Sequence, residues 1–217
     1  MHAFVEPLLL AIILTDFAVL GTSRLTACIR MVALQGAMLG LLSISVESPV
    51  SAHSVVLGVG TIGVKAIVLP WFLRWAMREA DVRREVEPAI GYMASLLLGA
   101  VAAGLSFGVA NRLPPIDAAS GAPVGLLVPV ALATLLCGLL VLITRRKAIT
   151  QVVGYLMLEN GVYLFGLTLV ERISFLVEIG VLLDVFVGVF IMGIVVFHIN
   201  REFASISAEN LVELRES

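Results

Sequence analysis

The 217 residues are 60% hydrophobic and only 14% charged, with a mean hydropathy of +1.08, against roughly 25% charged residues in an ordinary soluble domain. A spanning helix takes about 20 mostly apolar residues, so six or seven spans with short connections use up the chain and leave no room for a soluble catalytic domain. The net charge of -2 offers no sign of a nucleic-acid partner, and the expected partner of this surface is lipid.

Apolar runs cover roughly 4–22, 27–46, 54–74, 89–110, 124–144, 149–170 and 175–199, which predicts an all-α, polytopic transmembrane bundle of about seven helices. The first run carries Asp16 and lacks a basic leader, so it reads as a span and not as a cleaved signal peptide. In the second, Gly36 and Gly40 form a small-xxx-small pair suited to close helix packing, as do Gly104 and Gly108 in the fourth. Pro70, in the third, cannot donate a hydrogen bond to the carbonyl of Ala66, which predicts a kink one turn from Lys65. The stretch RWAMREADVRREVEP reads as a short solvated helix or turn able to dock a partner. NRLPPIDAASGAP reads as an extended loop. It divides residues 1–112, with four spans, from 124–199, with three; 113–123 form the loop and 200–217 a polar tail, in which Ser207 is a candidate N-cap of a short helix.

Basic residues cluster in alternate connections: Arg24 and Arg30; Arg74, Arg78, Arg83 and Arg84; Arg145, Arg146 and Lys147; and Arg201 after the last run. The intervening loops offer Arg112 and Arg172. Retention of Lys and Arg on the cytoplasmic side places the N-terminus outside and the C-terminus in the cytoplasm, as an odd number of spans requires. The expected location is the cell (inner) membrane, crossed several times. Tyr92, Tyr155, Tyr163, Trp71 and Trp75 read as interface anchors or packing residues.

Cys28 and Cys137 lie in separate runs and His2, His53 and His198 are far apart, so no metal-ligand spacing is present. His198 reads as an end residue of the last span. No nucleophile, metal or nucleotide-loop constellation marks an autonomous enzyme.

The informative residues are the ionisable ones inside apolar runs: Asp16, Lys65, Glu159, Glu178 and Asp184. A charged side chain at the bilayer centre costs roughly 2.5–3.5 kcal/mol on insertion scales, so such groups face protein, partners or water. Glu159 and Asp184 fall midway along the last two runs, which the short ERISF connection makes antiparallel. Each is about 15 Å of helical rise from the shared end, a level arrangement suited to a proton relay. Burial and a neighbouring like charge both favour a protonated carboxyl group, which brings buried acids into the range of reversible protonation. Lys65 is a candidate cation at the same depth, either neutral or paired with a carboxylate. Asn160, turned about 100° from Glu159, is placed to bond to another helix. Asp16 and Glu178 lie nearer a membrane boundary, within reach of water. The competing reading is that these groups only fix helix register.

The stretches GLLVLITRRKAITQVVGYLMLENGVYLFGL and LVEIGVLLDVFVGVFIM, with ENLVEL near Asn210 and GVKAIVLP around Lys65 and Pro70, resemble hydrogenase 4 component E, a membrane subunit of formate hydrogenlyase-type complexes. The last three predicted helices are similar to the K subunit of complex I and, more distantly, to the C subunit of multisubunit cation/proton antiporters. In those subunits an Arg-rich turn precedes two helices that each bear a glutamate. Arg145 and Arg146 match the turn, Asn160 matches an Asn of the first helix, and Asp184, four residues before Gly188, stands for the second glutamate. Leu156 occupies the position of the first, with Glu159 displaced by about one helical turn.

The resemblance implies a membrane-arm subunit of a hydrogenase or complex I-like assembly, contributing Glu159, Asp184 and Lys65 to an ion path. It implies antiporter-like membrane subunits and peripheral hydrogenase or quinone-site subunits as partners. Metal clusters or quinone belong to those partners, and no cofactor is expected on this chain. An assembly scaffold, or an antiporter subunit without a redox partner, are the alternatives.

Overall fold

The computed structural model describes residues 4–46, 52–79, 89–113 and 124–168, together with Val187, Gly188, Ile191 and Gly193. Among these, the regular structure is helical. Helix α1 (Val5–Gly21) is followed by α2 (Leu25–Val46) and α3 (Ala52–Thr61). A π-helical segment, Ile62–Val68, then leads directly into α4 (Leu69–Glu79), so that α3, the π segment and α4 form one continuous rod. α5 (Tyr92–Ala110), α6 (Val124–Thr144) and α7 (Ala148–Leu167) complete the described helices. Among the described residues, four stretches are long and apolar enough to cross a bilayer: Leu25–Ser45, Val55–Arg78, Tyr92–Ala110 and Gly125–Thr144.

The side-chain distribution is that of a bundle bathed in hydrocarbon. On α5 the buried residues are Ser95, Gly99 and Ser106, while Met93, Leu97, Val101 and Leu105 face outward, the reverse of an amphipathic helix in water. Small residues inside let backbones approach, and large apolar ones outside meet lipid. Two buried hydroxyls bond back to their own helix, Thr15 to the carbonyl of Ile12 at 2.7 Å and Ser43 to that of Gly40 at 2.8 Å, as suits a solvent without donors or acceptors.

Glycines set the closest approaches. A Cβ at Gly154 would lie 2.6 Å from the backbone nitrogen of Leu142, and one at Gly161 would lie 2.5 Å from that of Leu135. These contacts run in opposite directions along the two chains, so α6 and α7 are antiparallel. On the other side, a Cβ at Gly36 would lie 2.6 Å from Cβ of Lys65, and one at Gly40 would lie 2.6 Å from the carbonyl of Gly58. The second-run glycine pair therefore seats α2 against α3 and the π segment. Among the described residues, nothing lies within 4 Å of a Cβ built at Gly104, Gly108 or Gly188.

Just before Pro70 the backbone is π-helical. The helix widens over Ile62–Val68, the N–H of Leu69 reaches back to the carbonyl of Val64, and α-helix resumes at Leu69. Irregular backbone thus lies at Lys65 itself and not one turn beyond it. A π turn takes up one extra residue per turn, which accommodates the proline without a break. The third run also extends further than expected, with helix continuing to Glu79; 80–88 lie outside the described residues, as does the 114–123 part of the predicted loop. Val187 and Ile191 of the last predicted span are buried in a core with Val19, Leu20, Leu73, Val153 and Met157.

Gly36→Leu, which forces α2 off the π segment, should lower the thermal stability of the detergent-solubilised chain by about 1–3 kcal/mol. Gly104→Leu should leave it unchanged. Equal losses in the two melting curves would contradict this assignment of the packing seam.

Candidate functional site: a buried polar belt

Lys65 lies midway along the α3–π–α4 rod and Glu159 near the middle of α7. Their side chains meet with Nζ of Lys65 donating to Oε1 of Glu159 at 2.6 Å, both fully enclosed. One helical turn further along each element, Thr61 and Tyr163 hydroxyls lie 3.0 Å apart, and Nζ of Lys65 sits 5.8 Å from the centre of the Tyr163 ring. The i, i+4 pair Thr61 and Lys65 therefore faces the i, i+4 pair Glu159 and Tyr163 in antiparallel register. The cation is held by a carboxylate and an aromatic face at once.

Asn160 turns to a different side of α7, where its Nδ2 donates to Oε1 of Gln35, 3.3 Å away on α2. Gln35 in turn donates through Nε2 to Oδ1 of Asp16 on α1 at 2.7 Å. The second oxygen of that carboxylate, Oδ2, accepts from the hydroxyl of Thr134 on α6 at 2.8 Å. Gln35 and Thr134 have no exposed surface, Asp16 has 1% and Asn160 3%. Gln35 and Thr134 fall at the midpoints of α2 and α6. A polar line thus crosses the bundle from Thr134 and Asp16, through Gln35, to Asn160, with the Lys65–Glu159 pair at the adjoining position of α7. α2 carries the middle of the line. Gln35 faces α7 and α1 while its neighbour Gly36 makes room for Lys65.

Of the residues singled out in the sequence, the structure brings Asp16, Lys65, Glu159 and Asn160 into this belt. Its place in the first run put Asp16 within reach of water, but it is 1% exposed and walled in by the middles of α2 and α6, because burial follows the neighbours packed on a side chain and not its distance from the helix end. Pro70 is buried two residues beyond the π segment. Glu178 and Asp184 lie outside the described residues, as do His198, Ser207 and Asn210. Gly188 makes no close approach among the described residues. Leu156 is buried in the core one turn before Glu159.

Gln35, Thr134, Thr61 and Tyr163 were not singled out as members of a site. Their only signal is a polar atom in an apolar run. Arg145, in the basic turn, is 2% exposed. Its Nη2 donates to the carbonyl of Leu20 at 2.9 Å, and its guanidinium lies 5.5 Å from the Tyr92 ring. Burial pulls its pKa below the usual guanidinium value, while Tyr92 and Cys28 pull it back upward. Arg145 thereby caps the carbonyl end of α1, and Arg146 beside it remains exposed.

Breaking a buried pair leaves one charge uncompensated, at a cost of about 3–5 kcal/mol. Lys65→Met or Glu159→Gln alone should destabilise the chain on that scale, and the double replacement should cost less than the two combined. Thermal melts of the four proteins form a double-mutant cycle; strictly additive losses would show that the two groups do not stabilise one another.

No family model matches the chain, and no solved structure matches it. Over 207 residues, 94% of this chain and 93% of its relative, it is 30% identical to the uncharacterized protein Rv0085 of Mycobacterium tuberculosis (strain ATCC 25618 / H37Rv). Over 86 residues it is 35% identical to hydrogenase-4 component E of Escherichia coli (strain K12), and equally to that of Escherichia coli O157:H7. That match spans 40% of the length of both proteins. The chain belongs to the family of Rv0085, and a part of it is similar to hydrogenase-4 component E.

Proposed function

We propose that the chain is a membrane-arm subunit of a hydrogenase or complex I-like complex. In this reading it carries part of a proton or ion path driven by redox chemistry in partner subunits. The observation that carries the proposal is the polar belt: a buried Lys65–Glu159 pair and, beginning at the next residue of α7, a hydrogen-bonded line from Asn160 through Gln35 to Asp16, inside helices whose outer faces suit lipid. Such groups are costly in hydrocarbon and mark ion pathways and relays in membrane proteins. The partial similarity to hydrogenase-4 component E supplies the kind of complex.

Glu159 and Lys65 form a pair in which one proton shifts between ammonium and carboxylate, and either member is discharged by a proton gained or lost. Asp184 of the last predicted span and Glu178 nearer its end extend the path within the proposal. Seven spans, an external N-terminus, a cytoplasmic C-terminus and a place in the inner membrane complete it. Antiporter-like membrane subunits and peripheral hydrogenase or quinone-site subunits are the proposed partners, and redox cofactors are assigned to them.

A scaffold role is the competing reading, favoured by the tight glycine contacts beside Lys65, since a buried ion pair also fixes register. The double replacement Lys65→Met/Glu159→Gln, which leaves no buried charge uncompensated, and Asp184→Asn separate the two. The relay predicts an assembled complex whose coupled ion transport into vesicles falls at least about tenfold, the equivalent of roughly 1.4 kcal/mol of barrier. A scaffold predicts loss of the complex from native gels. Undiminished transport in both variants would overturn the relay.

A further inference from the structure

The hydrogen bonds along the belt have a direction. Asn160 donates to Gln35, and Gln35 donates to Asp16. An ionised carboxylate only accepts, whereas a side-chain amide offers one oxygen and one NH2 group on opposite sides. With Nε2 committed to Asp16, Gln35 presents its oxygen to α7, and Asn160 must answer with its nitrogen. Thr134 answers in the same way on the far side, with its hydroxyl donating to Oδ2. The whole line is set for a negative charge at Asp16.

We infer that Gln35 is a positioning residue that transmits the charge state of Asp16 to Asn160 and thus to the Lys65–Glu159 pair, joining two ionisable stations into one path across the bundle. When Oδ1 of Asp16 takes up a proton it becomes a donor, and Gln35 meets it only by turning its amide end for end. Nε2 then faces α7, and Asn160 turns in its place to offer Oδ1. One proton at α1 reverses two hydrogen bonds and changes the dipole presented beside Glu159, 19 and 125 positions being spanned by the two bonds. Because all of these groups are sealed from water, no solvent molecule replaces a bond that fails to turn, and a mismatched orientation leaves a buried polar atom without a partner.

Other titratable groups bear on Asp16. Cys137 on α6 lies within its electrostatic reach. Nearer the end of α1, Cys28 on α2 lies by Arg145, which holds the carbonyl of Leu20. The buried α5 residues Ser95 and Gly99 do not titrate. None of these joins α1 to α7; the hydrogen-bonded link runs through Gln35. A proton on Oδ2 has a different outcome. The Thr134 hydroxyl rotates to accept it and donates to its own helix backbone, leaving Gln35 as it stands.

The inference deepens the relay reading and rests on it, but its test needs no transport. Infrared difference spectra are recorded between acid and alkaline pH on the purified chain in lipid nanodiscs, with glutamine and asparagine side chains isotopically labelled. The Asp16 carboxyl band is assigned by its loss in Asp16→Asn. The expected result is that the Asp16 band and the labelled amide bands change together, and that in Gln35→Leu the asparagine band no longer follows. An Asp16 band that changes with silent amides, or that does not change over the stable pH range, overturns the inference. If Gln35→Leu does not fold, the wild-type spectrum and Gln35→Glu decide: a carboxyl group at position 35 donates or accepts on either side and should keep the asparagine response. In the complex, Gln35→Leu should lower coupled transport about tenfold and shift its pH profile, with Gln35→Glu retaining most of it. Unchanged transport and pH profile in Gln35→Leu would overturn the inference even if Lys65→Met/Glu159→Gln had abolished transport.

Discussion

A charge in hydrocarbon has to be answered by another group, and in this chain the answer to Lys65 is Glu159. Their contact at 2.6 Å draws the α3–π–α4 rod and α7 to a common level, although the two are 94 residues apart in sequence and α2 packs against both. Everything in the belt follows from that level. With α7 fixed at Glu159, Asn160 falls opposite Gln35, and Gln35 falls opposite Asp16. The ion pair is thus a register mark for the bundle as well as a pair of titratable groups. Both roles rest on the same desolvation, which makes each partner intolerable without the other.

The packing that encloses this pair is made by absence of side chains. Gly36 lets the backbone of α2 touch the π segment at Lys65, and Gly138, Gly154 and Gly161 bring α6 onto α7. In lipid the apolar effect offers no preference for protein over solvent, so helices associate through close van der Waals contact and polar bonds. The glycines supply the first and the belt supplies the second. The π segment links them, because a widened turn rotates Lys65 relative to a regular helix while leaving Leu69 and Leu73 in the core.

Much of this was legible in the sequence, and the failures have physical reasons. Lys65 and Glu159 stand out because charge is costly in an apolar run, so a single letter carries the signal. That Lys65 pairs with a carboxylate was legible, but not which one, since contact across 94 positions leaves no local trace. Gln35 and Thr134 are uncharged, cost little to insert, and look like any polar residue in a span. Asp16 was judged by its distance from the end of its own run, but the depth of a side chain is set by the neighbours packed on it. Arg145 was read with Arg146 and Lys147 as one basic cluster in a connection, yet one member of a basic turn can fold back to cap a helix. Pro70 pointed to the neighbourhood of the π segment but not to its form, because proline states that a hydrogen bond is missing without saying how the helix absorbs the loss.

The central claim is that one continuous polar line lies at the mid-plane of the membrane. A cryo-electron microscopy map of the purified protein in lipid nanodiscs, at a resolution that shows side chains and the bilayer boundaries, tests it most directly. The account predicts density linking Thr134, Asp16, Gln35 and Asn160 in sequence, with Lys65 against Glu159, all at the centre of the lipid slab. Density that parts Gln35 from Asp16, or a belt lying at the headgroup level where water reaches it, would contradict it.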